Sequence, residues 1–577
     1  MGEAIKAANT DAAFEGCPSG SGDDVIRITV PGTINAPTNG FDITSNMTIQ
    51  GDAAGTTIQG TIGFVVELTK KENAAAVTAV TLADLTLTAS GERRFGVNIT
   101  DETESALGLG YTVTLENLHI HDYQWGVRVY KDTGKGRVGH VRVKESVVEG
   151  TPSGGDNVYL NACDYVGPVH DELVLTISDS VIRNDPASDP GNGIGVDCGY
   201  LKVVDSMIVG NKNGIMAKGG EAPSDSGSTT PVPTKTEIIN STIANNTGPG
   251  VIVLKEKATL LPKLSVVNST ISGNNTASSS NAGGGIATSS SGGEQPRYFD
   301  VDVFNSVVAG NGGRQCELAD TLVDDAKSGN ASSDTSCGFE HQGVTPRLQA
   351  LAVNGNPKRI GPNQGMEPVK TMAIDRSSPL FNAVKGSHCP RADARADARG
   401  VPRPQGSGCD IGAYEAIVVG DMVWDDVDGD GRQDPGEKGV EGVTVQLLNA
   451  AGRAVDTVKT DSDGVYGFPV GPGDWTVKVT DTGKVLVGRR ATTPTSVDLS
   501  VTVADVAEAS EADFGYQRLA TVGGVVWVDS DRDGVRDEGE PGLKGVAVKL
   551  LRGGSEAGSA KTNAEGCLLY TSDAADE

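Results

Sequence analysis

One phrase recurs along the first 311 residues: Asp or Asn, then Ser, then an apolar or β-branched pair and, in the fuller copies, a turn ending in Asn. Its clearest copies are Asp205-Ser-Met-Ile-Val-Gly-Asn211, Asn240-Ser-Thr-Ile-Ala-Asn-Asn246, Asn268-Ser-Thr-Ile-Ser-Gly-Asn274 and Asn305-Ser-Val-Val-Ala-Gly-Asn311. Taking Leu87, Ile120, Val148, Ile182, Ile208, Ile243, Ile271 and Val308 as equivalent gives steps of 33, 28, 34, 26, 35, 28 and 37 residues. A period in this range means stacked units sharing one continuous core. Helical periodicity and L-x-x-L-x-L spacing are both missing, which sets aside helical solenoids and leucine-rich repeats. The expected architecture is a right-handed parallel β-helix with one coil per unit; a propeller is the alternative. Aligned Ile and Val residues would fill its interior, and Asn184, Asn211, Asn246, Asn274 and Asn311 would form a side-chain ladder along the axis. The unequal steps predict loops bulging from one turn, at residues 219–232 and 277–283.

The C-terminal part carries a different signal. Asp426-Val-Asp-Gly-Asp-Gly-Arg-Gln-Asp-Pro-Gly-Glu437 and Asp529-Ser-Asp-Arg-Asp-Gly-Val-Arg-Asp-Glu-Gly-Glu540 both read D-x-D-x-D-G-x-x-D-x-x-E. That is the ligand spacing of a twelve-residue calcium loop. Asp426, Asp428 and Asp430 would converge around a turn at Gly431, with the Arg432 carbonyl, Asp434 and both oxygens of Glu437 completing the set. Asp529, Asp531, Asp533, Val535, Asp537 and Glu540 repeat it. So many carboxylates within twelve residues repel unless a cation lies among them; a merely solvated acidic turn is the competing reading. The flanking runs, Ile417-Val-Val-Gly-Asp-Met-Val-Trp424 and Gly442-Val-Thr-Val-Gln-Leu-Leu448, alternate and are β-branched, so the loop joins strands rather than the helices of a signalling EF-hand. Ca2+ is therefore expected to brace a β-sandwich, not to switch it. With Thr460-Asp-Ser-Asp-Gly-Val-Tyr-Gly-Phe468 and Gly473-Asp-Trp-Thr-Val-Lys-Val479 following, residues 418–517 resemble the B-type repeat domains of Gram-positive serine-aspartate-repeat adhesins. A second copy begins near Val522. The resemblance implies spacers that calcium stiffens.

Both ends of the repeat array carry further resemblances. Glu3-Ala-Ile-Lys-Ala-Ala-Asn9, then Cys17-Pro-Ser-Gly-Ser-Gly-Asp-Asp-Val-Ile26, is similar to the CSLREA module that opens many bacterial secreted β-helix proteins. Here Met1-Gly2 stands where that motif places its own cysteine, so the native start is expected upstream. Met47-Thr-Ile-Gln-Gly51 and Thr56-Thr-Ile-Gln-Gly60 resemble the first coils of the same family. Ser378-Pro-Leu-Phe381, Asp397-Ala-Arg-Gly-Val-Pro-Arg-Pro404 and Cys409-Asp-Ile-Gly-Ala-Tyr-Glu415 resemble the choice-of-anchor Q domain, which implies a cap on a β-helix. The expected division is residues 1–345 β-helix, 346–416 cap, 417–517 first B-type sandwich and 518–566 a truncated second one. Residues 567–577 are expected to be a non-native tail, the anchor having been lost with the rest of the second copy.

Charge and cysteines narrow the function. A net charge of −28 argues against nucleic acid, whose phosphates want a basic face. No apolar stretch reaches membrane-spanning length. Cys316 with Cys337, and Cys389 with Cys409, are spaced as disulfides of an oxidising compartment, and Cys163 and Cys198 stack in adjacent coils. Sequons at Asn240 and Asn268 belong to the repeat phrase, so glycosylation is the weaker reading of them. Candidate acids for carbohydrate chemistry are Asp156, Asp164, Glu172 and Asp197, with His119, His121, Asp122 and Arg128 as a second cluster, although acids on a solenoid face are commonly just solvated. No catalytic residue is assigned, and no G-x-S-x-G, H-E-x-x-H or phosphate-binding loop is present. The reading is an all-β, extracellular bacterial surface protein whose β-helix meets a polysaccharide or a host or cell-surface protein. A polysaccharide lyase or glycoside hydrolase on the same stalk, or a passive matrix component, are the alternatives.

Overall fold

The computed structural model describes residues 1–68, 77–91, 94–101, 110–131, 139–150, 155–163, 173–184, 190–219, 234–256, 262–276, 283–291, 299–318, 321–322, 329–355, 360–362, 368–389, 394–504, 511–519 and 521–571. They divide into two units, Met1–Ile417 and Val418–Glu577.

The first unit is a parallel β-helix. Its strands form three all-parallel sheets of 11, 11 and 10 strands, each strand pairing with those one coil before and one coil after. One coil runs through Gly199–Val204, Met207–Val209 and Ile215–Gly219. Strands such as Leu173–Ser178 alternate buried and half-exposed residues, because period-two side chains send Leu173, Leu175 and Ile177 inward. The register of the second sheet aligns Leu87, Ile120, Val148, Ile182, Ile208, Ile243, Ile271 and Val308 in one column, all fully buried. These are the positions that the sequence period made equivalent. A helix at Gly2–Thr10 places Ile5 and Ala8 in the same core as Phe41 and Ile43.

Between the first and second sheets the repeat phrase makes a sharp corner. Its leading Asp or Asn takes the left-handed conformation (Asp179 φ 49°, Asp205 48°, Asn240 47°, Asn268 45°, Asn305 48°), which these side chains tolerate better than most. The following serine is buried. Its hydroxyl donates to the carbonyl two residues back and accepts the amide of the equivalent serine one coil earlier, from Ser146 through Ser180, Ser206, Ser241 and Ser269 to Ser306. At the next corner an asparagine ladder runs Asn157–Asn211–Asn246–Asn274–Asn311, with amide–carbonyl distances of 2.7–3.1 Å, and closes on Gln315 at 2.9 Å. Asn184, expected in this ladder, instead donates to the Gly191 carbonyl, and Asn157 stands in its place. Of the loops expected at 219–232 and 277–283, only Gly219 and Gly283 are described, each in a strand; the rest lies outside the described residues.

The segment expected as a cap runs along the side of the coils. Ile360 and Val369 pack on Val147, Val181 and Met207; Ala394 packs on Ile239 and Val267; Leu380, Ile411 and Tyr414 cluster with Val307, Ala309 and Ala331. The corner asparagines hold it there: Asn240 donates to the Ala396 carbonyl and Asn268 to that of Ala394. Both are buried, at 5% and 1% exposure, which denies a glycan access to either sequon. The far end of the core is filled by Phe339 and the Cys316–Cys337 disulfide instead. Cys389–Cys409 and Cys163–Cys198 also pair.

The second unit opens with a β-sandwich. One sheet has the order Val465–Val470, Ile417–Asp425, Phe514–Arg518, Arg489–Ala491; the other Ala454–Lys459, Thr444–Asn449, Gly473–Val479, Ser496–Val501. Val423, Val445, Phe468, Val477 and Phe514 are among its buried residues. Beyond it, Thr521–Val525 pairs with Cys567–Thr571 and Ala547–Arg552 with Ser555–Lys561, both antiparallel. Trp527 bridges Gly542 as Trp424 bridges Gly439. Cys567–Thr571, from the stretch expected to be foreign, thus stands in a strand.

Candidate functional site

The two acidic loops fold the same way. Asp426 accepts the amides of Gly429 at 2.6 Å and Gly431 at 2.8 Å, Asp428 that of Asp430, and Asp430 that of Arg432. Glu437 reaches back across the loop, one oxygen to the Val427 amide at 2.6 Å and the other to that of Asp434 at 3.0 Å. Gly431 holds φ 77°, which turns the chain so that the carboxylates face inward. In the second loop Asp529, Asp531, Asp533 and Glu540 accept the equivalent amides. One difference stands out: the position of Gly429 is taken by Arg532 at φ 66°, a left-handed conformation that costs a non-glycine residue about 1 kcal/mol.

These bonds bring carboxylate oxygens of Asp426, Asp428 and Glu437, and of Asp428, Asp430 and Asp434, within 4.8 Å of one another; Asp529, Asp531 and Glu540, and Asp531, Asp533 and Asp537, do the same. Such clusters can hold a metal ion. The Asp430 amide favours the charged form of Asp428, yet desolvation and the neighbouring Asp430, Asp434 and Asp426 leave its pKa raised. A cation would relieve that repulsion.

A second constellation lies on the outer face of the third sheet of the β-helix, in a cleft of about 440 Å3 lined by Phe95, Trp125, Arg128, Asp156, Tyr159, Asp197 and Lys218 among others. Register assembles it: Trp125 pairs with Phe95, Arg128 with Asn98 and Tyr159, and Asp197 with Lys218. Phe95 and Trp125 stack with centroids 5.3 Å apart. Asp197 accepts the Tyr159 hydroxyl at 2.7 Å and lies 3.5 Å from the Lys218 ammonium. Asp156 accepts the Asn192 amide at 2.7 Å, and its other oxygen lies over Gly195, where a Cβ would approach it to 1.9 Å. Burial raises the Asp156 pKa to about 6, opposed by Asn192 and aided by Asp197. Of the acids singled out in the sequence, Asp156 and Asp197 therefore meet, while Asp164 and Glu172 lie outside the described residues. Arg128 belongs to this cleft. His119 and His121, with rings 4.5 Å apart, face Glu149 and Asp122 instead.

Comparison with known proteins settles the second unit. Residues 417–513 and 520–575 match the SdrD B-like domain. The C-terminal unit is built of SdrD B-like domains. Serine-aspartate repeat-containing protein F of Staphylococcus epidermidis is 36% identical over 165 residues, which cover 26% of this chain and 9% of that protein. Serine-aspartate repeat-containing protein C of Staphylococcus aureus is 35% identical over 170 residues, covering 28% and 19%. The chain thus spans less than a fifth of the length of these relatives. Among solved structures, pectate lyase Pel9A superposes with a TM-score of 0.43 at 12% identity, covering 69% of this chain and 91% of that one. The A-module of the Azotobacter vinelandii mannuronan C-5 epimerase AlgE4 gives 0.34 at 15%, covering 58% and 78%.

Each acidic loop falls inside one B-like match, as does the strand Cys567–Thr571. Sequence reasoning missed Asp425 beside the first loop: it accepts Arg489 at 2.7 Å and Arg518 at 2.8 Å, tying two strands of the B-like sandwich to the loop's entry. It also missed Phe95, Tyr159 and Lys218, whose only signal is their register across coils.

Proposed function

We propose that this chain is part of an extracellular bacterial surface protein in which Ca2+-braced SdrD B-like domains carry a β-helix that meets a ligand. The observation behind the calcium reading is the recurrence of one hydrogen-bond network in both loops, each ahead of a strand. Asp426, Asp428, Asp430, the Arg432 carbonyl, Asp434 and Glu437 form an all-oxygen set, as do Asp529, Asp531, Asp533, the Val535 carbonyl, Asp537 and Glu540. Oxygen-only sets with a bidentate Glu at the twelfth position suit Ca2+ better than softer metals. Bound there, the ion neutralises the loop and fixes the order of the strands on either side. Three disulfides favour an oxidising, extracellular setting. Calorimetry of the full chain tests the reading: the transition of the B-like unit should fall when calcium is chelated, and identical melting with and without chelator would sink it.

For the β-helix, the open cleft of aromatic and charged side chains favours engagement of a polysaccharide over a passive role. A second reading, cleavage of that polysaccharide, is favoured by the pairing of Asp156 and Asp197. One carboxyl is pushed up to about 6, so that it can carry a proton, and the other is held by Tyr159 and Lys218. Incubation with polysaccharides decides between them: release of oligosaccharides that stops in Asp156→Asn establishes cleavage, and retention without release establishes binding.

A further inference from the structure

The cleft contains a cation, Arg128, that no carboxylate among the described residues neutralises. Arg128 donates to the neutral Asn98 side chain at 3.1 Å and lies over the rings of Phe95, 5.3 Å away, and Tyr130, 4.4 Å away. Among the described residues no carboxylate pairs with it, although the chain has 76 acidic residues against 48 basic ones. The nearby acids are engaged elsewhere, Asp197 by Lys218 and Tyr159, and Asp156 by Asn192. In an acidic protein such a guanidinium is a local positive focus, and its planar fork matches a carboxylate. Beside it the Phe95–Trp125 stack supplies an apolar wall, while Tyr159 and Gln124 bring a hydroxyl- and an amide-bearing group to the lining. An apolar wall, several hydrogen-bonding groups and one carboxylate-matching cation are together the complement of a sugar ring that bears a carboxylate. The cleft lies on an open sheet face, so a chain of such rings can continue across neighbouring coils.

We propose that this cleft binds a uronate-bearing polysaccharide, with Arg128 taking a sugar carboxylate and the Phe95–Trp125 wall covering a sugar face. The proposal rests on the reading of the β-helix as the ligand-engaging part and names the ligand class. Lys218 and Asp197 position the Tyr159 hydroxyl. Gly195 keeps the cleft floor free of a side chain, so that Asp156 can lie across it.

Isothermal titration of the full chain, at fixed calcium, with short galacturonate and glucuronate oligomers tests this. The carboxyl-reduced, neutral forms of the same oligomers serve as the second arm. Wild type should bind at least one acidic oligomer roughly tenfold or more tightly than its reduced form, in line with a charge-assisted bond. Arg128→Ala should abolish that preference, Arg128→Lys should restore part of it, and Trp125→Ala should weaken both forms. Unchanged melting of each variant shows that the fold is intact. Equal binding of acidic and reduced oligomers, or full affinity in Arg128→Ala, overturns the proposal while leaving the β-helix as a ligand-engaging module. If no uronate oligomer binds, the proposal falls, and the calcium-braced B-like unit still stands or falls by its melting behaviour.

Discussion

The two units of this chain handle buried and crowded polar groups in opposite ways. In the described coils of the β-helix the turns are tied by neutral groups: serine hydroxyls pass hydrogen bonds from coil to coil, and asparagine amides do the same one corner later. Two buried guanidinium groups are paired within the chain. Arg399 lies fully buried on Asp397, and Arg403 on Glu415 at 2.7 Å. In the SdrD B-like unit the first loop gathers five carboxylates that form no ion pair among the described residues, while Arg489 and Arg518 pair with Asp425 at its entry. One unit carries its counter-groups in its sequence. The other leaves carboxylate clusters that can hold a metal ion, and on the proposed calcium reading its stability depends on what the solution contains.

Removing calcium is the sharpest way to break that comparison. An ion at a hundred times its dissociation constant stabilises the folded state by about 2.7 kcal/mol. For a sandwich of about a hundred residues this corresponds to a fall of roughly 10–20 °C on chelation. The β-helix transition of the same full-length chain should move by less than about 2 °C. Differential scanning calorimetry with and without chelator reads both at once, and equal shifts in the two transitions would erase the distinction. Glu437→Ala should act in the same direction without chelator. It removes the proposed bidentate ligand and the acceptor of two backbone amides, and the remaining calcium dependence should shrink.

The converse test strikes the β-helix alone. Asn246→Ala deletes one rung of the ladder: the Asn211 backbone and side-chain amides lose the Asn246 oxygen as acceptor, and Asn274 keeps only the backbone amide of residue 246 as donor, all inside the stack. Unsatisfied buried groups of this kind cost about 1–3 kcal/mol. The β-helix transition should drop by a few degrees, with no change in the B-like transition or in its calcium dependence. Loss of both transitions together would show that the units do not melt separately.

How much of this was legible in the sequence follows from how local each feature is. The interior column from Leu87 to Val308 was readable because one apolar position per coil repeats, and the register keeps that alignment. The loops were readable because all their ligands lie within twelve residues. The serine ladder was not, since a serine in a turn is commonplace. Its signal was the constant place immediately after the Asp or Asn that turns left-handed. Asn184 was misplaced because it ends its own strand and its amide turns to the Gly191 carbonyl, while Asn157 donates to Asn211 instead. The position of residues 346–416 depends on contacts such as Asn240 with Ala396, 156 residues apart, for which no short-range pattern exists. The cleft has the same origin, because Phe95 and Lys218 come to line it together only when five coils stack.

The smallest expected effect concerns that cleft and gives the comparison a second axis, pH. Burial lifts Asp156 from the usual 3.8 to about 6, opposed by the Asn192 amide and by Lys218, and aided by Asp197. Tyr159 adds a neutral hydroxyl at the same face. A carboxyl whose folded pKa exceeds its unfolded one binds more protons in the folded state, so its contribution is complete below about pH 4 and is lost as pH rises through about 6. The β-helix transition should therefore decline slightly between pH 4 and 7, by ~1–2 °C for this one group in so large a unit. Asp156→Asn should remove that part of the decline, because the amide makes no charge to desolvate, and the difference between wild type and variant isolates Asp156 from every other titrating group. In the B-like unit the sign reverses for Asp425. Burial opposes its charge, but Arg489 and Arg518 hold its pKa below the usual range, so its contribution is present at neutral pH and lost on acidification. Parallel pH profiles of the two transitions in Asp156→Asn and Asp425→Asn should thus change with opposite slopes. Slopes of the same sign would mean that Asp156 is not desolvated in the cleft, and that its place over Gly195 does not set its proton affinity.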